Sequence, residues 1–230
     1  MNINEFGKLL ISKRELLTCI LLTLMTQIII TGSVMYQFNV EENKNSRNSF
    51  VDVLSNYKKS NPYTSTFLIF IVSIILLFAM LSKNMSFAFR FILFAIFSII
   101  QGVLLGFTTE FLPQKVIAAA LGSTFTIFLS LLMLGFIVSF FKINLSLLGM
   151  FLYMGLLGLI VFQVMSIFMP TSKPVYKIFT YLGLMIFSLF ILYDTNQILL
   201  KYKNKGVDCI RGAIDYYLDI VNIFLYSLRE

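Results

Sequence analysis

Two stretches decide the fold: Val175–Leu199, VYKIFTYLGLMIFSLFILYDTNQIL, and Cys209–Leu228, CIRGAIDYYLDIVNIFLYSL. Each has the length of about 20 mostly apolar residues that an α-helix needs to cross a bilayer. Yet the first carries Asp194 and the second carries Asp215 and Asp219. Outward from this pair, apolar runs of similar length recur at Leu16–Tyr36, Thr64–Leu81, Phe87–Leu112, Val116–Phe141 and Leu147–Met169. The pattern predicts an all-α membrane protein with seven transmembrane helices, and residues 1–230 read as a single transmembrane domain.

Composition points the same way. The chain is 58% hydrophobic and 13% charged, with a mean hydropathy of +0.88, whereas globular proteins are about 45–50% apolar and about 25% charged. The surplus apolar surface must face lipid. A soluble domain, a disordered chain and a nucleic-acid-binding module are excluded, so the net charge of +7 is an orientation signal. Histidine is absent, which removes Ser/His triads, His-ligated zinc and imidazole-based proton sensing.

Most junctions are short and carry breakers or charge: Ser82-Lys83-Asn84, Pro113-Gln114-Lys115, Lys142-Ile143-Asn144 and Pro170 to Pro174. Only residues 37–63 form a long connection, expected as an external loop with a short amphipathic segment. With the N-terminus inside, the 18 basic residues divide into ten inside and eight outside, and the densest cluster, Lys201 to Lys205, falls in a short inner loop. Cys19 and Cys209 lie near the inner ends of the first and last spans and read as small apolar fillers. Gly102 and Gly106 form a GxxxG pair, expected to pack helices within the monomer.

The acids inside the spans carry the functional information. A carboxylate at the centre of a span costs about 2.5–3.5 kcal/mol on insertion scales. At about 1.5 Å per residue, Asp194 lies roughly 10 Å deeper than Lys201, and Asp219 roughly 12 Å deeper than Arg211. The depths match, and the two spans run antiparallel, so these side chains meet if they face each other. Asp208, Arg211, Asp215, Asp219 and Asn222 fall on one helical face. Lipid does not solvate such a stripe, so the last helix is expected at the centre of the bundle. Gln27, Gln101 and Gln163 are expected to face the same interior or to bond between helices. Asp215 keeps two readings, an ion pair with Arg211 one turn away or a charge that tunes Asp219.

Two carboxyl groups held together in low dielectric do not both ionise easily, so a shared proton is expected. Such a pair is a proton switch without histidine. Its ionised oxygens also suit a hard cation, with calcium held transiently by Asp194 and Asp219. A permanently protonated pair acting as helix glue is the structural alternative.

Phe187-Ser-Leu-Phe-Ile-Leu-Tyr-Asp194-Thr-Asn-Gln-Ile198 and Arg211-Gly-Ala-Ile-Asp-Tyr-Tyr-Leu-Asp219-Ile-Val-Asn222 together resemble the C-terminal signature of the Bax inhibitor-1 (transmembrane BAX inhibitor motif) family. Leu24 to Thr31, Gly122 to Phe128 and Lys142 to Ser146 are similar to its upstream segments, so the likeness covers nearly the whole chain. Many members have Glu-Gly where this chain has Gln101-Gly102, so a role for that acid does not carry over. The resemblance implies seven helices with the last enclosed by the other six, and a pH-sensitive calcium leak governed by paired aspartates, here Asp194 and Asp219. It also implies a bacterial inner membrane, or the endoplasmic reticulum or Golgi with suppression of cell death in eukaryotic and viral members.

The expected function is therefore a pH-gated calcium leak channel. Asp194 and Asp219 are its switch, and Asp215, Arg211, Asn222 and Gln101 are secondary lining or tuning residues. Expected partners are the lipid bilayer, calcium as permeant ion and membrane proteins, with no cofactor and no nucleic acid. A non-conducting regulator acting through protein partners is the alternative. Intramembrane proteolysis fits poorly, because Asp219 sits in Tyr-Tyr-Leu-Asp rather than in the Gly-x-Gly-Asp setting such enzymes need; no enzyme is expected.

Overall fold

The computed structural model describes residues 3–39, 53, 56, 60, 62–81, 85–168, 172–201 and 205–229. Most of the expected external loop lies outside the described residues, as do Lys83 and the side chain of Asp208. Seven helices are described: α1 (Ile3–Asn39), α2 (Pro62–Leu81), α3 (Phe87–Thr109), α4 (Gln114–Phe140), α5 (Ser146–Phe168), α6 (Lys173–Leu200) and α7 (Lys205–Ser227). The described residues contain no strand.

The helices start and stop where the sequence supplies partners for their end groups. The Ser86 side chain accepts from the Phe89 N–H at 3.3 Å and opens α3. Pro113 precedes α4, and Pro174 sits in the first turn of α6. Lys142 ends α4 with a left-handed φ of 54°. Asn144 Oδ1 then accepts from the Ser146 N–H at 3.0 Å, starting α5 two residues on.

Five helices are long and apolar enough to cross a membrane: α1 and α3 to α6. The windows in α4 and α5 are only 22% and 17% buried within the protein. Phe125, Met133 and Leu157 stand 63, 64 and 63% exposed. Such faces are soluble only in lipid, so the chain is an integral, multi-pass membrane protein. The apolar described part of α2 is shorter, Leu68–Met80, and α7 carries the charged stripe.

At the centre is α7. From Cys209 to Tyr226 Arg211 alone is exposed. The helix packs on α1, α3, α4 and α6, while α2 rests chiefly on α3 and α5 on α6. Among the described residues these four helices form its main enclosure, with α5 and α2 farther out. The α1–α3 contact is the most extensive among the described helices and runs over the glycine pair. A Cβ on Gly102 would lie 2.7 Å from Val34 Cβ, and one on Gly106 2.3 Å from the Phe38 ring. The GxxxG pair thus packs helices within one chain, as expected.

The two cysteines correct the sequence reading. They are not apolar fillers but a disulfide joining α1 to α7, with a Cα–Cα distance of 5.8 Å. Nothing in the local pattern around either residue marks this, since 190 residues separate them. The bond sets the start of α7 beside the start of the apolar part of α1. Both helices therefore enter the bundle from one side and run the same way. An odd number of crossings must lie between them, which fits the seven-span expectation only with α2 crossing too. One engineered protease cut within residues 201–205 is expected to leave two fragments that stay joined on a non-reducing gel and separate with reductant. In Cys19→Ser they separate without it, and separation of the unsubstituted fragments without reductant would contradict the bond.

Candidate functional site: a buried pair of aspartates between α6 and α7

The register of α7 is fixed by two adjacent tyrosines that point to opposite sides. The Tyr216 hydroxyl meets Thr195 Oγ1 of α6 at 2.7 Å. Thr195 donates its own proton to Ile191 O at 2.7 Å, so Tyr216 is the donor in the shared bond. Gly135 of α4 permits this approach, because a Cβ there would lie 2.5 Å from Thr195 Cβ. On the other side the Tyr217 hydroxyl pairs with Thr31 of α1, and its ring meets Phe94 of α3 edge-on at 5.4 Å. Thr31 donates to Ser98 O at 3.1 Å, and Ser98 Oγ donates to Gln27 Oε1 at 2.6 Å, which ties α1, α3 and α7 together. Removal of the hydroxyl in Tyr216→Phe is expected to cost about 0.5–1.5 kcal/mol, read as a lower midpoint of thermal unfolding in detergent.

With those tyrosines anchored, Asp215 and Asp219, one turn apart, face α6. Asp219 is 5% exposed and Asp194 is 9% exposed, and their carboxyl groups hydrogen-bond to each other. The depth match read from the sequence is thus a contact. A bond between two carboxyl groups needs a proton on one of them, since two carboxylates are acceptors only. Asp215 is half-buried and Arg211 exposed, and both lie within electrostatic reach of Asp194. Exposure falls from Arg211 through Asp215 to Asp219, a polar path from the N-terminal end of α7 to the pair.

Tyr193 of α6 and Tyr153 of α5 flank the pair, within electrostatic reach of Asp194 and Asp215, with ring centroids 6.3 Å apart. Sequence reasoning passed over both, and over Thr195 and Tyr216, because an aromatic or threonine in an apolar span looks like packing. Tyr193 directly precedes the acid, which was the available signal. On the far side of Asp219, Phe187, Phe190, Val221 and Phe224 fill the interior. The polar residues that adjoin the acids therefore lie toward the N-terminal end of α7.

The remaining expected residues are placed as follows. Asn222 is half-buried and donates to Leu218 O of its own helix at 2.8 Å. Gln101 is half-buried on α3. Gln163 donates to the Tyr226 hydroxyl at 2.8 Å, bridging α5 to α7. Arg90, read as a basic residue of the inner side, is 2% exposed, and its Nε donates to Met80 O at 2.7 Å, tying α3 back to the end of α2. Among the described residues no three Cys, Asp or Glu side chains converge as a cage for a metal ion. Gln197 Nε2, Asn196 Oδ1 and Asp219 Oδ2 are buried without a hydrogen-bond partner among the described residues.

A helical membrane protein organised around a central last helix, with a hydrogen-bonded diacid between its final two helices, is a narrow class. The chain matches, over residues 13–229, the family described as inhibitor of apoptosis-promoting Bax1. It is 30% identical over 160 residues to Bax inhibitor 1 of Schizosaccharomyces pombe, covering 70% of this chain and 58% of that protein. It is 32% identical over 139 residues to LIFEGUARD 4 of Arabidopsis thaliana, covering 60% of this chain and 56% of that protein. It is 27% identical over 189 residues to lifeguard 3 of Mus musculus, covering 79% and 60%. The matches span less than two thirds of these relatives' own length. This protein belongs to the Bax inhibitor family, membrane proteins whose family name ties them to suppression of cell death.

Proposed function

We propose that the protein is a pH-sensitive calcium leak channel in which Asp194 and Asp219 form the gate. The observation that supports this reading is the carboxyl–carboxyl hydrogen bond between α6 and α7, at the end of a polar path from Arg211 and Asp215. With one proton shared, the bond is charge-assisted and is the strongest contact the pair makes. Losing that proton leaves two like charges in low dielectric, which push α6 from α7. Gaining a second proton removes the negative charge that Arg211 attracts and leaves a weaker neutral bond. Either change loosens the same contact, so the leak has a minimum at the pH where one proton is held.

Loosening the contact admits water and gives calcium carboxylate oxygens, its preferred ligand type. Arg211 at the mouth keeps a cation from resting there, so calcium passes rather than stays. The compartment is the inner membrane of a bacterium, or the endoplasmic reticulum or Golgi of a eukaryote, where the leak would act in cell-death control. Calcium flux into vesicles carrying the purified protein, followed against pH, tests the reading. Absence of flux at every pH, together with retained protection of stressed cells, would favour a non-conducting regulator working through membrane partners.

A further inference from the structure

At the end of the bundle opposite the Cys19–Cys209 bond, α5, α6 and α7 enclose a cavity of about 290 Å³. Its chemistry changes along its length. Leu159, Phe162 and Phe179 form the deep wall, where the two phenylalanine rings stack face to face with centroids 3.4 Å apart. Ser166, Tyr176 and Arg229 form the mouth, and Ser166 lies roughly 10 Å along α5 from Leu159.

The wall is built by specific contacts. Gly183 of α6 leaves room for the Tyr226 ring, which a Cβ would meet at 2.3 Å, and Gln163 holds the Tyr226 hydroxyl at 2.8 Å. The Arg229 guanidinium lies 5.3 Å from the Tyr226 ring centre and 5.8 Å from that of Tyr176. Among the described residues its contacts are these two rings. Aromatic faces neutralise little of a cation's charge, and the planar fork still presents N–H donors that suit a phosphate. An aromatic mouth holding a cation, above an apolar shaft, complements a molecule with one anionic head and a hydrocarbon chain. The mouth opens beside apolar faces exposed to lipid, including Ile178 and Met165, 57 and 51% exposed.

We propose that this cavity binds an anionic phospholipid of the surrounding bilayer, with the phosphate on Arg229 and an acyl chain along Leu159, Phe162 and Phe179. The site is independent of the aspartate pair.

The chain contains no tryptophan, so Tyr176→Trp places a single fluorophore in the mouth and keeps an aromatic face under Arg229. The protein in phosphatidylcholine vesicles is mixed with brominated-chain phosphatidylglycerol or, at equal fraction, brominated-chain phosphatidylcholine. Quenching is expected to show a preference of about tenfold for the anionic lipid, the scale of one charge-assisted bond. Arg229→Gln in this background is expected to bring the two lipids to parity. Arg229→Lys should keep part of the preference, and Lys177→Gln, an exposed cation on α6 outside the cavity, should keep all of it. Equal quenching by both lipids with Arg229 present, or a preference that survives Arg229→Gln, overturns the proposal. Relief of quenching by excess inorganic phosphate would also overturn it, by assigning the site to a soluble anion.

Discussion

Under the proposed function, Asp219→Asn is expected to abolish the rise of the calcium leak at alkaline pH and to keep the rise at acid pH, where Asp194 gains a proton, whereas Asp219→Ala is expected to raise the leak throughout. Asparagine has nearly the shape of aspartate, and its amide donates to the Asp194 carboxylate with no proton to lose. The contact between α6 and α7 then persists at neutral and alkaline pH and loosens only where Asp194 is protonated. Hydrogen bonds to charged groups contribute about 1.5–3 kcal/mol, which corresponds to a change of about 10- to 150-fold in the open population. Alanine removes the donor and leaves Asp194, 9% exposed, without its partner. Opening the helices to water relieves that unpaired group, so the equilibrium shifts the other way. A merely structural role for the pair predicts instead that both variants lower stability and leave the pH profile of the remaining flux intact. Flux into vesicles, normalised to folded protein by circular dichroism, separates the two.

Gly102→Leu is expected to produce the largest loss of stability. A Cβ at Gly102 would lie 2.8 Å from Thr31 O as well as 2.7 Å from Val34 Cβ. A backbone carbonyl does not rotate away as a side-chain end does, so α1 itself must move. That displacement pulls Thr31 from Ser98 and Tyr217, the bonds that set the rotation of α7. Overpacking costs about 1–3 kcal/mol, and each lost bond about 1 kcal/mol more. A control is available in Gly122 of α4, whose added Cβ would meet nothing within 4 Å. Thermal unfolding in detergent is expected to drop by several degrees for Gly102→Leu and to stay unchanged for Gly122→Leu. Equal midpoints would contradict the proposed α1–α3 interface.

The parts of the fold that were legible in the sequence are those governed by one-dimensional rules. Apolar length located the helices to within a few residues except at the N-terminus, where α1 begins at Ile3 although the apolar run starts near Leu16. The charged first turns of α1 extend the helix beyond the length a bilayer requires, and apolar counting does not register them. The meeting of Asp194 and Asp219 was also legible, because rise per residue and a short antiparallel turn convert sequence distance into depth.

What was not legible depends on rotation about helix axes and on contacts between distant segments. The pairing of Cys19 with Cys209 follows from α1 and α7 lying parallel, which neither local sequence announces. Tyr216 and Tyr217 both look like apolar bulk, and only the packed bundle assigns one to α6 and the other to α1. Arg90 sits where the charge rule places it in sequence, yet the close approach of α2 and α3 buries it against Met80 O. Among the described residues four helices form the main enclosure of α7, because α5 and α2 pack farther out.

In the proposed function, one proton shared between Asp194 and Asp219 governs the contact of α6 with α7. The most direct measurement is calcium flux into proteoliposomes from acid to alkaline pH, for the unsubstituted protein and for the double variant Asp194→Asn with Asp219→Asn. A flux minimum is expected in the former and a flat profile in the latter, whose two amides pair without titrating. A double variant that retains the original pH response would contradict the proposed function.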